Sequence, residues 1–373
     1  MIHINVPSYH VYLDNFLSTF PLNEKEKEKY SWQLRYISNN NNNYGCSLVQ
    51  NALGIKKDNK KEFIFVKKYF IKFEESEEKK LKNILKEIYF LYLLKTKEYI
   101  VQISDILFSG DKQYIYLVFK SDSASLAQAF PFIINRPEII KKIIYQITFG
   151  LYFLHENNII HYDIKPSNIL INGPAKISIC DFGSAFKKGE NPSSFTLCYA
   201  SPEFLIYDKL NDKLNINEKC DIWGLGVITL ELLCNELQIF KNDSINENYS
   251  KEEAQLLHLL NLFGTGINSI DDLKNRLNEN EKINFEINQS YLDKIHDPAA
   301  IDFLKKIFVF YPNERISAKE ALATNYLKGY NNGFSFNFDK IDFGPEYYEI
   351  TQQSINHAKF IDLVEKIKKS IIY

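Results

Sequence analysis

The sequence predicts an α+β protein of two lobes, a small β-rich lobe followed by a larger helical one. Three observations predict it. The 373 residues exceed the ~250–300 at which a single core stops growing. Between residues 30 and 119 short aromatic and β-branched runs dominate, and from about residue 125 apolar residues recur at helical spacing. Such a change of period partway along a chain predicts two layers of different make-up with a cleft between them.

Taken in order, residues 24–29 are a solvated charged run (EKEKEK), and 1–29 read as an N-terminal extension. Tyr30 to Ile37 and Gly45 to Ala52 predict strands of a hairpin whose polar tip is Asn39–Asn43. Phe63 to Phe70 predicts a third strand. Leu81, Ile84, Leu85, Ile88, Leu91 and Tyr92 set a helical period over Leu81–Leu94. Ile100 to Phe119 supplies two strands around the turn signal Ser109-Gly110-Asp111. Helical periods follow at Pro137–Glu156, Ile222–Leu233 and Ala299–Phe310, and Gln352–Ile371 predicts a helix packed back on the body. The folded domain is thus expected over 30–328, with lobes 30–119 and 120–328 and a tail 329–373.

A formal net charge of −2 gives no basic field for nucleic acid or a lipid surface. Cys46, Cys180, Cys198, Cys220 and Cys234 are scattered without metal-like spacing, so reduced thiols of a cytoplasmic or nuclear protein are expected. Residues 1–20 lack the basic start and apolar run of a secretory signal. No stretch reaches the ~20 apolar residues that span a bilayer.

Chemistry concentrates in His161-Tyr162-Asp163-Ile164-Lys165-Pro166-Ser167-Asn168 and Asp181-Phe182-Gly183. Between them, Ile169–Ile171, Asn172-Gly173 and Lys176–Ile179 predict a strand, a turn and a strand. Phosphoryl transfer needs a group at the attacking hydroxyl, cations against phosphate, and oxygen ligands for a metal. The run offers all three. It resembles the catalytic loop and metal-binding turn of eukaryotic protein kinases.

That resemblance extends over about residues 30–328 and implies the bilobal protein kinase fold, ATP and Mg²⁺. It assigns Asp163 to the substrate hydroxyl, Lys165 to the γ-phosphate, and Asn168 and Asp181 to metal. Glu203 of Ser201-Pro202-Glu203 and Arg315 resemble a buried ion pair. Asp221 resembles the helix-start aspartate that accepts catalytic-loop N–H groups. In the first lobe Lys67 and Glu87 resemble the lysine–glutamate pair of the family, with Lys68 as the rival lysine, since adjacent strand residues face opposite ways. Choosing Lys67 puts Phe65 where a small residue usually roofs the adenine. Gly45, Phe119, Leu170, the backbones of Lys120 and Asp122, and Ser125 complete the implied nucleotide contacts.

The departures are informative. Of the family's three loop glycines only Gly45 remains; Asn40 and Asn42 stand nearby, and asparagine tolerates the left-handed backbone. Tyr162 replaces the arginine that clamps an activation-segment phosphate. Ala200 replaces the arginine associated with proline after the target residue. Lys165 and Thr196 favour Ser/Thr over Tyr substrates. The stretches Thr196–Glu203 and Glu253–Thr265 are similar to the CMGC group, cyclin-dependent kinases especially. Chain length and the altered glycine loop are similar to the single-chain kinases of budding yeasts that activate cyclin-dependent kinases. The implied substrate is then a protein, another kinase in cell-cycle control among the candidates, and a cyclin-like subunit stays open. The rival of a different class is a pseudokinase scaffold; a P-loop hydrolase is excluded because no GxxxxGK[ST] occurs.

Overall fold

The computed structural model describes residues 32–36, 42–44, 47–56, 61–71, 78–108, 113–120, 123–172, 175–190, 196–206, 216–242, 248–330, 343 and 345–372. These fall into two units, one holding the described residues up to Ala124 and from Phe343 onward, the other Ser125 to Tyr330. Gly45, Asp122, Ser193 and Ser194, on which sequence expectations rest, lie outside the described residues, as do Asn40 and Cys46.

In the first unit the strands are β1 (Trp32–Tyr36), β2 (Asn42–Tyr44), β3 (Ser47–Lys56), β4 (Lys61–Phe70), β5 (Ile103–Phe108) and β6 (Tyr114–Lys120). They form one antiparallel sheet in the order β1-β3-β4-β6-β5, with β2 also on β3. The expected polar tip is partly sheet: Asn42 and Asn43 pair opposite Val49 and Leu48. Ladder bonds there satisfy backbone groups whatever the side chain, and composition alone does not reveal this.

Helix α1 (Glu78–Leu93) buries Leu81, Ile84, Leu85, Ile88, Tyr89, Phe90 and Leu91, and with them Glu87. So wide an apolar surface marks a helix covered on more than one side.

The second unit is mostly helical. Ser125 caps α2 (Leu126–Ile133), and α3 (Pro137–Glu156) follows with proline in its first turn. Next come β7 (Ile159–Ile160), the hairpin β8 (Ile169–Asn172) and β9 (Lys176–Ile179), and β10 (Phe186–Lys187), which pairs with β7. Helices α4 (Pro202–Ile206), α5 (Lys219–Cys234), α6 (Lys251–Leu262), α7 (Ile270–Asn278), the short α8 (Gln289–Leu292), α9 (Pro298–Ile307) and α10 (Ala318–Leu322) complete it. Helix α5 ends on Asn235, whose left-handed φ of 58° is a common C-terminal device.

Helix α9 stops at Ile307, three residues before the periodicity predicts. Phe308 leaves the helix and meets Trp223 edge-on at 5.1 Å, within a cluster that includes Phe240, Phe263 and Phe285. Tertiary aromatic packing here overrides the local helical pattern.

The chain then returns to the first unit. The helix expected at Gln352–Ile371 is found as α12 (His357–Ile372), and a further helix, α11 (Pro345–Gln352), precedes it. Between the two, the Ile355 N–H donates to Glu78 at 3.1 Å. Both helices pack on α1. Tyr347 lies 5.3 Å from Tyr89 and 5.8 Å from Phe90; Phe360, Leu363, Val364 and Ile367 are buried. The described residues from 343 onward therefore group with the strand-bearing unit. Among the described residues no helix is long and apolar enough to cross a membrane.

Candidate active site

Two side-chain clusters, one in each unit, gather the residues that the sequence singles out.

In the first unit, β4 sends Lys67 and Lys68 to opposite faces. Lys67 Nζ lies 2.8 Å from Glu87 Oε1, with both side chains almost fully buried. Lys68 Nζ instead sits 3.9 Å from the centre of the Tyr114 ring. The structure thus pairs Lys67, not its neighbour, with the α1 glutamate. The Tyr69 hydroxyl donates to the second oxygen, Glu87 Oε2. Phe65, on the Lys67 face, meets Phe119 edge-on at 6.3 Å, and the two are register partners.

A buried amine held by one carboxylate is preorganised to meet phosphate charge. Lys67→Met is therefore expected to lower kcat/KM about a hundredfold and Lys68→Met less than about threefold, measured with a protein acceptor. Equal losses in the two variants would refute the choice of lysine.

In the second unit, the loop from Ile160 to Asn168 is pinned by Asp221 in the first turn of α5. Asp221 accepts the N–H groups of His161 at 2.9 Å and Tyr162 at 2.7 Å, and His155 Nε2 lies 2.9 Å from the same carboxylate. Helix N-termini favour such negative charge. Tyr162 has φ of 70°, an uncommon backbone for a bulky residue; the Asp221 contact holds it there. Helix α5 comes this close because residue 224 is glycine. A Cβ at Gly224 would lie 2.7 Å from the Ile164 carbonyl oxygen.

That loop aims Asp163. Lys165 Nζ lies 2.6 Å from Asp163 Oδ2 and donates to Thr196 Oγ1 at 2.5 Å. Asn168 Nδ2 donates to the Asp163 carbonyl at 2.8 Å and to Oδ2 at 2.9 Å. One carboxylate oxygen is thereby fixed by a cation and an amide. The other, Oδ1, is buried with no hydrogen-bond partner among the described residues. A buried acceptor without a donor is costly unless a ligand supplies one, and a substrate hydroxyl would do so.

His161 is fully buried, its ring 5.0 Å from Phe182. Its Nε2 donates to the Cys180 carbonyl at 3.0 Å, since a carbonyl can only accept. The Cys180 N–H donates to the Asn168 carbonyl at 2.9 Å. These contacts tie the loop to the turn that begins at Asp181, whose φ is 67° and whose Oδ1 accepts from Gly183 N at 3.3 Å. Asn168 spends its NH₂ on Asp163 and keeps an amide oxygen; Asp181 adds carboxylate oxygen. Two hard oxygen donors fit a divalent cation that takes its remaining ligands from phosphate and water.

Leu170 is half-buried in β8 opposite Ser178. Lys120 ends β6 opposite Ile64. Ser125, to which the resemblance assigns a ribose contact, opens α2: its hydroxyl accepts from the Gln128 N–H at 3.2 Å while its own N–H donates to Gln128 Oε1 at 3.0 Å, a capping box.

Tyr162 itself is buried in an apolar cluster with Ile160, Phe186 and Cys220. Its ring meets Phe186 and Phe204 edge-on, each at 5.2 Å. An arginine in the same place would carry a guanidinium into a pocket of rings and aliphatic carbon.

The segment after Thr196 is anchored by Tyr199, whose hydroxyl donates to Glu231 Oε1 at 3.0 Å on α5. Burial pushes the Glu231 carboxyl up to about 7. Burial, reinforced by the nearby Glu231 charge, pushes the Tyr199 hydroxyl well above its ordinary range. Behind the segment, Arg315 binds Glu203 bidentately at 2.9 and 3.0 Å, both side chains fully buried.

His155, Tyr69 and the Glu231–Tyr199 contact escape sequence reasoning. Tyr69 had one signal: it stands two residues after Lys67, hence on the same strand face. His155 and Glu231 carry none, since their partners are distant in sequence.

Comparison with known proteins supplies the context. Residues 50–327 match the protein kinase domain family. Mitogen-activated protein kinase sty1 of Schizosaccharomyces pombe is 32% identical over 245 residues, covering 63% of this chain and 65% of the relative. Mitogen-activated protein kinase HOG1 of Chaetomium globosum is 30% identical over 292 residues, 73% of this chain and 76% of the relative. Mitogen-activated protein kinase 14 of Xenopus laevis is 30% identical over 203 residues, 52% of each chain. The chain thus spans between about half and three quarters of the length of these relatives.

Proposed function

The chain belongs to the protein kinase family as a Ser/Thr protein kinase, and on that premise we propose that it moves the γ-phosphoryl group of ATP to protein hydroxyls without needing a phosphate on its own activation segment. One observation carries the reading of the site. Lys165 bridges Asp163 and Thr196, while Asn168 pins the same Asp163 oxygen and leaves Oδ1 without a donor among the described residues, ready to accept a hydroxyl proton. Asp163 would orient and deprotonate that hydroxyl, Lys165 would offset charge on the transferred group, and Lys67, held by Glu87, would bind the remaining phosphates. Asn168 and Asp181 would hold Mg²⁺, which supplies neutralisation of phosphate charge when bound.

The relatives favour the mitogen-activated side of the CMGC group. A cyclin-like subunit, a cell-cycle role and activity on another kinase's activation segment find no support among them. The test is incubation with Mg-ATP and a generic protein acceptor, followed by phosphoamino-acid analysis. Phosphoserine and phosphothreonine are expected, with no phosphotyrosine. Labelling no greater than that of Asp163→Ala would favour the pseudokinase scaffold instead.

Independence from an activation-segment phosphate follows from Tyr162, whose ring packing leaves no fork to pair with phosphate. Replacing Ser193, Ser194 and Thr196 one at a time should leave Ser193→Ala and Ser194→Ala within about threefold of wild type, a change of under 1 kcal/mol. Thr196→Ala should lose activity because it removes the Lys165 partner. A loss at Ser193 or Ser194 that a phosphomimetic restores would sink the proposal. Because residue 200 is a buried alanine, a peptide-library scan should show no strict requirement for proline after the target; a strict requirement would refute this.

A further inference from the structure

The β4–α1 ion pair has a third member. Tyr69 stands two residues after Lys67, so both side chains leave the same face of β4. Its hydroxyl donates to Glu87 Oε2 while Lys67 Nζ holds Oε1 at 2.8 Å. Its ring centre lies 5.1 Å from Lys67 Nζ, within the range of a cation–π contact. One tyrosine thus touches both partners of the pair. Glu87 is 1% exposed and Tyr69 7%, so water does not substitute for either contact.

The physical consequence lies in the carboxylate torsion. The terminal torsion of a glutamate is broad and soft. A carboxylate held at one oxygen can swing about that bond and carry its lysine with it. Held at both oxygens by charge-assisted bonds it cannot. From the far side, α1 is fixed by Tyr347 against Tyr89 and Phe90. The glutamate is therefore fixed at its head by Tyr69 and at its backbone by the C-terminal helices.

We infer that Tyr69 is a positioning residue for phosphoryl transfer, acting through the Glu87 carboxylate to hold the Lys67 ammonium in place. The inference rests on the reading of Lys67 as a phosphate-binding lysine.

The test uses the full chain, Mg-ATP and a generic protein acceptor, with wild type, Tyr69→Phe, Glu87→Gln, their double variant and Asp163→Ala. It is joined by mass-spectrometric footprinting with an acetylating amine reagent. Phenylalanine keeps the ring and removes only the donor. Tyr69→Phe should lower kcat about tenfold, the scale of one hydrogen bond to a charged group, with the acceptor KM within about twofold. Acetylation of Lys67 should become several-fold faster while that of Lys68 stays unchanged. Adding Tyr69→Phe to Glu87→Gln should cost no further activity. Wild-type kcat with wild-type Lys67 labelling, losses that multiply in the double variant, or a Tyr69→Phe chain that does not fold would each overturn the inference. The last would mark a core residue alone. A wild type no more active than Asp163→Ala would instead defeat the kinase reading, and the Lys67 footprint would still judge Tyr69.

Discussion

Replacing Asp163 by alanine is expected to lower kcat about a thousandfold, the middle of the range for removing a general base, with little change in melting temperature. The structure gives both halves of that expectation. Asp163 Oδ1 has no donor among the described residues, so its deletion would remove the acceptor proposed for the substrate proton. Oδ2 is also the anchor of Lys165 and Asn168, and losing it frees a cation and an amide to move. The loop around them stays in place because Asp221 holds it through the backbone of His161 and Tyr162, and those bonds do not involve the Asp163 side chain. Steady-state kinetics beside a melting curve check this. A kcat within tenfold of wild type, with the fold intact, would mean that Asp163 is not the base.

Arg315→Ala should have the largest effect on stability. The guanidinium is fully buried and donates to both Glu203 oxygens, to the Lys219 carbonyl at 2.7 Å and to the Val309 carbonyl at 3.0 Å. It also lies 5.1 Å from the Trp223 ring. Truncation leaves Glu203 as a buried charge without its counter-ion, a change worth ~3–5 kcal/mol. For a unit of this size that is on the order of 10 °C in melting temperature. Truncating Glu203 in the Arg315→Ala background should recover part of the loss, because the stranded charge is then gone. A drop of only a degree or two would show that the bridge is dispensable to the fold.

Much of this protein is legible in its sequence, and the reasons differ by element. Helix α3 is found to the residue because its 3.6-residue period is long and begins at a proline. The β8–β9 hairpin is legible because two apolar runs flank an Asn-Gly pair in the sequence. The Asp163, Lys165 and Asn168 constellation is legible because its members are within one loop, and short-range chemistry survives in linear order. Helix α9 ends early, and the last helix begins later than its periodicity predicts, because Phe308 and Ile355 answer to partners far along the chain. The lysine choice was open for the same reason: strand alternation says that Lys67 and Lys68 diverge, and only the position of α1 says which meets Glu87.

Sequence alone determined the class of chemistry, since phosphoryl transfer requires particular groups and those groups occur at short, fixed separations. It also identified the departures at Tyr162 and Ala200. The tertiary structure alone decided which lysine is paired, that Ser125 caps a helix, that the residues after 343 pack on α1, and that Tyr69 donates to the Glu87 carboxylate. Each of these depends on which surfaces are buried together, and burial is set by contacts between segments tens to hundreds of residues apart.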